Sequence, residues 1–164
     1  MNSWLENSIR FVIVFLLQVL LVNHMQFLGV CSPCIYILFL LLLPVSLPRW
    51  AELIIGALTG LVMDVFCNTL GIHMASCILL SYIRPLILKA MVQEKERLTG
   101  TPSSNMLGMS AYIRFVVILV FIHHMALFIL LSFSWHNWWI TLLQIIVSSL
   151  VSIGIFISYD LLKR

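Results

Sequence analysis

The chain has 164 residues, of which 62% are hydrophobic and 9% charged, with a formal net charge of +3. A soluble domain carries about 25% charged residues, so this composition excludes an ordinary water-soluble fold and makes lipid the expected solvent for most of the chain. Six helices of about 20 residues, the length that crosses a ~30 Å hydrocarbon core, would leave room for short connections and one modest loop, with no separate catalytic domain.

The first span is expected over 9–28, broken in its apolar character at Gln18 and Asn23. It is too long for a signal-peptide core and no Ala-x-Ala-like site follows, so it reads as a retained span. After a break at Gly29 to Pro33, a short second span is expected over 34–47, interrupted by Pro44 and closed by Pro48. Proline removes a backbone donor, which a membrane tolerates where neighbouring groups satisfy the freed carbonyl. The third span is expected over 50–66. Cys67-Asn68-Thr69-Leu70-Gly71 then makes a tight turn in which Asn68 or Thr69 suits the cap of the next helix. The fourth span covers 71–91. Residues 92–108 are the only long hydrophilic segment, and their charge, Gly and Pro mark a solvated loop. The fifth span is expected over 109–133 and the sixth over 139–162. No internal repeat is evident.

Orientation follows from the basic residues. Six spans with a cytoplasmic N-terminus place Arg10, Arg49, Arg84, Lys89, Lys95, Arg97, Arg114, Lys163 and Arg164 at cytoplasmic ends, which is every Lys and Arg in the chain. Short loops rich in Lys and Arg stay inside, so both termini are expected in the cytoplasm. Lys89, Lys95 and Arg97 form a basic stretch suited to anionic lipid or cytoplasmic partners, with simple positive-inside anchoring as the plainer reading. Trp135, Trp138 and Trp139 fall where an outer aromatic belt would lie.

The polar residues inside the spans are the candidates for function. Asp64 lies roughly 20 Å along its helix from Ala51, in the outer half of the membrane, where a carboxylate must face protein or water. Glu52, Gly56, Gly60 and Asp64 recur every four residues, and Gly56-x-x-x-Gly60 permits close approach of another helix. That stripe is expected to be a packing or partner seam ending in a hydrogen-bonded Asp64. On the fourth span His73, Cys77, Ser81 and Arg84 share one face. An Asp64–His73 hydrogen bond is expected there, while Arg84 reaches toward the cytoplasmic headgroups. On the sixth span Gln144, Ser148 and Ser152 make a small polar stripe suited to helix packing.

His24, His73 and His123 fall at similar depth, but His123 and His124 are adjacent and no His-x-x-x-His occurs, so no metal site is expected. Cys31-Ser32-Pro33-Cys34 has redox spacing without the βαβ setting of a thioredoxin-like motif; a local disulfide and incidental thiols both remain open. No phosphate loop, catalytic triad or glycine fingerprint occurs. No catalytic residue, cofactor or nucleic-acid partner is expected.

A resemblance carries the reading further. Cys34-Ile-Tyr-Ile-Leu-Phe-Leu-Leu-Leu-Leu-Pro44, Pro48-Arg49-Trp50, Gly60-Leu-Val-Met-Asp64-Val-Phe-Cys-Asn68-Thr69-Leu-Gly71-Ile-His73 and Tyr82-Ile-Arg84-Pro85 together resemble MreD, the rod shape-determining membrane protein family of bacteria. Asp64, Asn68, Gly71 and His73 form the most family-like piece, and no catalytic duty comes with them. The resemblance implies a non-enzymatic subunit of the cell-elongation complex in the bacterial inner membrane. Its expected partners are MreC, the MreB filament, RodA and its transpeptidase. It also implies a six-helix bundle similar to the substrate-binding subunits of energy-coupling-factor transporters. The rival reading is a small-molecule, vitamin-like binding subunit using Asp64, His73, His24 and His123.

Overall fold

The computed structural model describes residues 3–20, 31–91, 100–132 and 138–163, with backbone alone at 3–8, 10 and 11. The regular elements among the described residues are helices: α1 (Ser3–Leu20), α2 (Ile37–Leu41), α3 (Arg49–Cys67), α4 (Ile72–Met91), α5 (Ser104–Leu107), α6 (Met109–Ser132) and α7 (Trp138–Leu162). Four of them, α3, α4, α6 and α7, are long and apolar enough to cross a membrane. Their outward faces carry large apolar side chains such as Leu58, Val65, Ile129 and Leu150, each more than half exposed, as helices solvated by lipid must. Asn23, His24, Lys95, Arg97, Trp135 and Arg164 lie outside the described residues, as does the side chain of Arg10.

The α3–α4 hairpin is set by local backbone chemistry. Pro48, extended at φ −68 and ψ 147, precedes the first helical residue of α3. At the other end Asn68 adopts φ 53, left-handed, a conformation that Asn tolerates far better than bulkier residues. Gly71 follows at φ 78. Two left-handed residues in four reverse the chain and lay α4 against α3, the most extensive helix pair among the described residues. Gly56 and Gly60 line this contact. A Cβ on Gly56 would meet Ser81 and the Cys77 carbonyl, the latter at 3.0 Å; one on Gly60 would lie 2.6 Å from the His73 carbonyl and the Met74 nitrogen. The seam therefore faces α4 of the same chain.

The second expected span is not a regular helix. Within 34–47 the helix covers Ile37–Leu41, five residues, or about 7.5 Å of rise. Pro44 and Pro48 prevent the helix from running on past this stretch. Residues 33, 34, 36–38 and 40–43 are nonetheless buried, and Tyr36, Ile37 and Leu40 are at most 1% exposed. This broken segment threads the centre of the bundle, from the α3–α4 turn end, where Tyr36 meets His73, to the α5 end, where Leu41 and Leu43 meet Arg84.

The loop expected to be solvated over 92–108 is folded in its second half. Ser103 caps α5 through the Met106 N–H, Ser104 is 6% exposed, and the Val45 N–H donates to the Gly100 carbonyl at 2.9 Å. The Ser104 N–H donates to Asp160 Oδ1 of α7 at 3.3 Å. Lys89, at the end of α4, is exposed.

Candidate functional site

Non-helical backbone inside an apolar bundle leaves N–H and C=O groups without water, each costing several kcal/mol if unpaired. The polar side chains of the long helices meet this demand. Gln18 of α1, 3% exposed, accepts from the Ile35 N–H at 2.6 Å and the Tyr36 N–H at 3.4 Å, and donates to the Pro33 carbonyl at 3.2 Å. From α7, Ser148 accepts from the Ser32 N–H at 3.0 Å and Ser152 from the Cys34 N–H at 3.2 Å. The serine stripe of the last helix thus reads the backbone of the broken segment.

Arg84 does the same at the other end, against the expectation that it reaches the headgroups. It is 1% exposed. Its Nε donates to the Leu41 carbonyl at 3.3 Å, its Nη2 to the Leu43 carbonyl, and its Nη1 to Glu52 Oε1 at 2.6 Å. Depth along α4 alone suggested the interface; what redirects the side chain is the pair of carbonyls freed where α2 ends, together with a buried carboxylate on α3. Among the described residues Glu52–Arg84 is the one ion pair.

Asp64 sits at the α3–α4 turn and acts as the cap of α4. Its Oδ1 accepts from the His73 N–H at 2.9 Å and from the Thr69 hydroxyl, and its Oδ2 accepts from the Met74 N–H at 3.0 Å. The cap is therefore Asp64 from the preceding helix, and Asn68 and Thr69 shape the turn instead. The contact to His73 runs through its backbone, leaving the imidazole for another partner. A carboxylate at a helix start also complements the helix dipole. Replacing Asp64 with Ala leaves three donors without their acceptor and should lower stability by about 2 kcal/mol, the upper end of cap losses; thermal unfolding in detergent reads this, with Asp64→Asn retaining part of the wild-type value.

That other partner is Tyr36. Its hydroxyl lies 2.9 Å from His73 Nδ1 and 2.9 Å from His123 Nε2, joining the broken segment to α4 and α6. His124 points elsewhere: its Nδ1–H donates to the Val120 carbonyl at 2.9 Å and its Nε2 faces the Ser152 hydroxyl at 3.4 Å. Tyr36 is the residue the sequence reading passed over. Its signal was a lone phenol in an apolar run beside prolines, where a buried hydroxyl needs a partner.

No three His, Cys, Asp or Glu among the described residues are grouped to hold a metal ion. Cys31, Cys34, Cys67 and Cys77 are free thiols. Gly56, Gly60 and Asp64 belong to the α3–α4 contact, while Asn68, Gly71 and His73 belong to its turn and the start of α4.

Together these features define a polytopic, all-helical membrane protein whose interior polar groups hold one broken segment in place. The chain belongs to the family of the rod shape-determining protein MreD, whose family model matches residues 1–160. No curated protein and no solved structure matches it. The family is a shape-determining one, and the chain is accordingly a shape-determining membrane protein.

Proposed function

We propose that this chain is a non-enzymatic subunit of the cell-elongation complex in the bacterial cytoplasmic membrane. It supports cell shape and peptidoglycan synthesis by helix–helix contact with MreC and, directly or through MreC, with the MreB filament, RodA and its transpeptidase. In this reading the bundle makes six crossings with both termini cytoplasmic, the second crossing being the broken segment, and Lys89, Lys95 and Arg97 lie against anionic lipid or cytoplasmic partners. Such a bundle would be similar to energy-coupling-factor substrate-binding subunits, as the family resemblance implies.

The observation that carries the reading, beside family membership, is where the interior polar side chains go. Gln18, Arg84, Ser148 and Ser152 bond the backbone of the broken segment, and Asp64 caps a helix. These groups serve internal architecture, so recognition falls to the apolar outer faces. The rival vitamin-binding reading needs convergent polar groups lining an opening; here Tyr36 bonds both His73 and His123 directly and all three are at most 7% exposed. Depletion in a rod-shaped host tests the proposal: cells should round and lateral wall synthesis should lose its localisation, both restored by the wild-type chain. Rods of normal shape after depletion would contradict it.

A further inference from the structure

The Tyr36–His73–His123 cluster has one more capacity than holding the broken segment in place. The phenol has one hydrogen, yet faces two ring nitrogens at 2.9 Å. With both rings neutral, the hydroxyl donates to one ring and accepts an N–H from the other, so each contact is a good hydrogen bond. A second observation stands apart from these distances. His123 is 0% exposed, and among the described residues its other ring nitrogen, Nδ1, has no hydrogen-bond partner at ordinary distance, the Ser76 backbone being the polar group beside the ring. Most buried polar atoms are paired, and one that is not calls for an account.

We propose that Tyr36, His73 and His123 form a proton-binding site in the half of the bundle nearer the α3–α4 turn. The added proton turns one ring into an imidazolium. Both rings then direct an N–H at the phenol oxygen, which has two lone pairs to receive them, and the phenol hydrogen turns away. The thiols of Cys34 and Cys77 both interact with Tyr36 and supply weak acceptors for it. No bond other than N–H is made and none to carbon is broken. His73 is the member of the cluster with residual exposure, 7%, and is the entry for the proton.

Among the described residues, the other titratable groups facing the cluster are few. From α3 they are Asp64, which caps the same turn of α4, and Cys67. Cys34 comes from the broken segment, Cys77 from α4 and His124 from α6. Since the hydroxyl joins three elements, loading the site keeps both ring contacts, reverses the direction of one of them and makes it charge-assisted, so the segment stays tied to α4 and α6.

The test uses the full chain, ¹⁵N-labelled at histidine, in lipid nanodiscs, with ring signals assigned through His73→Gln and His123→Gln. Over the range from about pH 8 to about pH 4 that brackets histidine titration, the His73 and His123 signals should shift together at one midpoint. In Tyr36→Phe the joint step should be lost, with His73 titrating alone. Cluster signals that stay fixed across this range in the wild type, that shift at separate midpoints, or that shift identically in Tyr36→Phe would overturn the proposal. Should Tyr36→Phe fail to fold, the wild-type titration decides by itself.

Discussion

Arg84→Ala should lower the stability of the bundle by about 3–5 kcal/mol, the range for breaking a buried ion pair from one side. The loss has two origins. Glu52, whose Oε1 lies 2.6 Å from Arg84 Nη1 and whose Oε2 is already without a partner, becomes an isolated buried carboxyl group. The Leu41 and Leu43 carbonyls also lose their donor at the point where α2 ends. Arg84→Lys should recover only a fraction of the loss, because one ammonium cannot reproduce the planar fork that serves three acceptors in different directions. Denaturant or thermal unfolding in detergent separates these outcomes. A Lys variant as stable as wild type would mean that charge alone, without the fork, secures the broken segment.

Gly60→Leu should also be strongly damaging. The added side chain would run into the α4 backbone at His73 and Met74, which cannot shift without also moving the N–H groups held by Asp64. Overpacking commonly costs about 1–3 kcal/mol, and a clash with backbone lies at or above the top of that range, so the variant should fail to accumulate in the membrane or unfold well below wild type. Gly154 provides the contrast. It lies on the exposed face of α7, a Cβ there meets nothing within 4 Å, and Ser158 one turn later is also exposed. Gly154→Leu should leave stability unchanged, and any loss of partner recovery in it would mark α7 as a contact surface. The same loss in Gly60→Leu would reflect misfolding.

The four long helices were legible because a hydropathy window answers a question of length: α3, α4, α6 and α7 start and stop beside the bounds expected at 50–66, 71–91, 109–133 and 139–162. The same window misjudged 34–47, since a buried irregular segment and a buried helix are equally apolar. The prolines at 33, 44 and 48 were the sign of it. Misreading that segment led directly to misreading Arg84, whose acceptors include carbonyls that a regular helix would have kept for itself. Asp64 was legible as an inward-facing, hydrogen-bonded group because carboxylates in a membrane have few other choices. Which donors it would meet was not, because that depends on two left-handed residues, Asn68 and Gly71, acting together. Tyr36, which no spacing rule links to His73 or His123, emerges once three elements are brought together in space.

The central claim is that the interior polar groups maintain the scaffold and that function lies in protein partners. Purification of the intact chain in mild detergent from its native host, followed by identification of what accompanies it, tests this most directly. The account predicts recovery of MreC and the wall synthases; recovery of an ATPase pair or a tightly held vitamin-like molecule would contradict it.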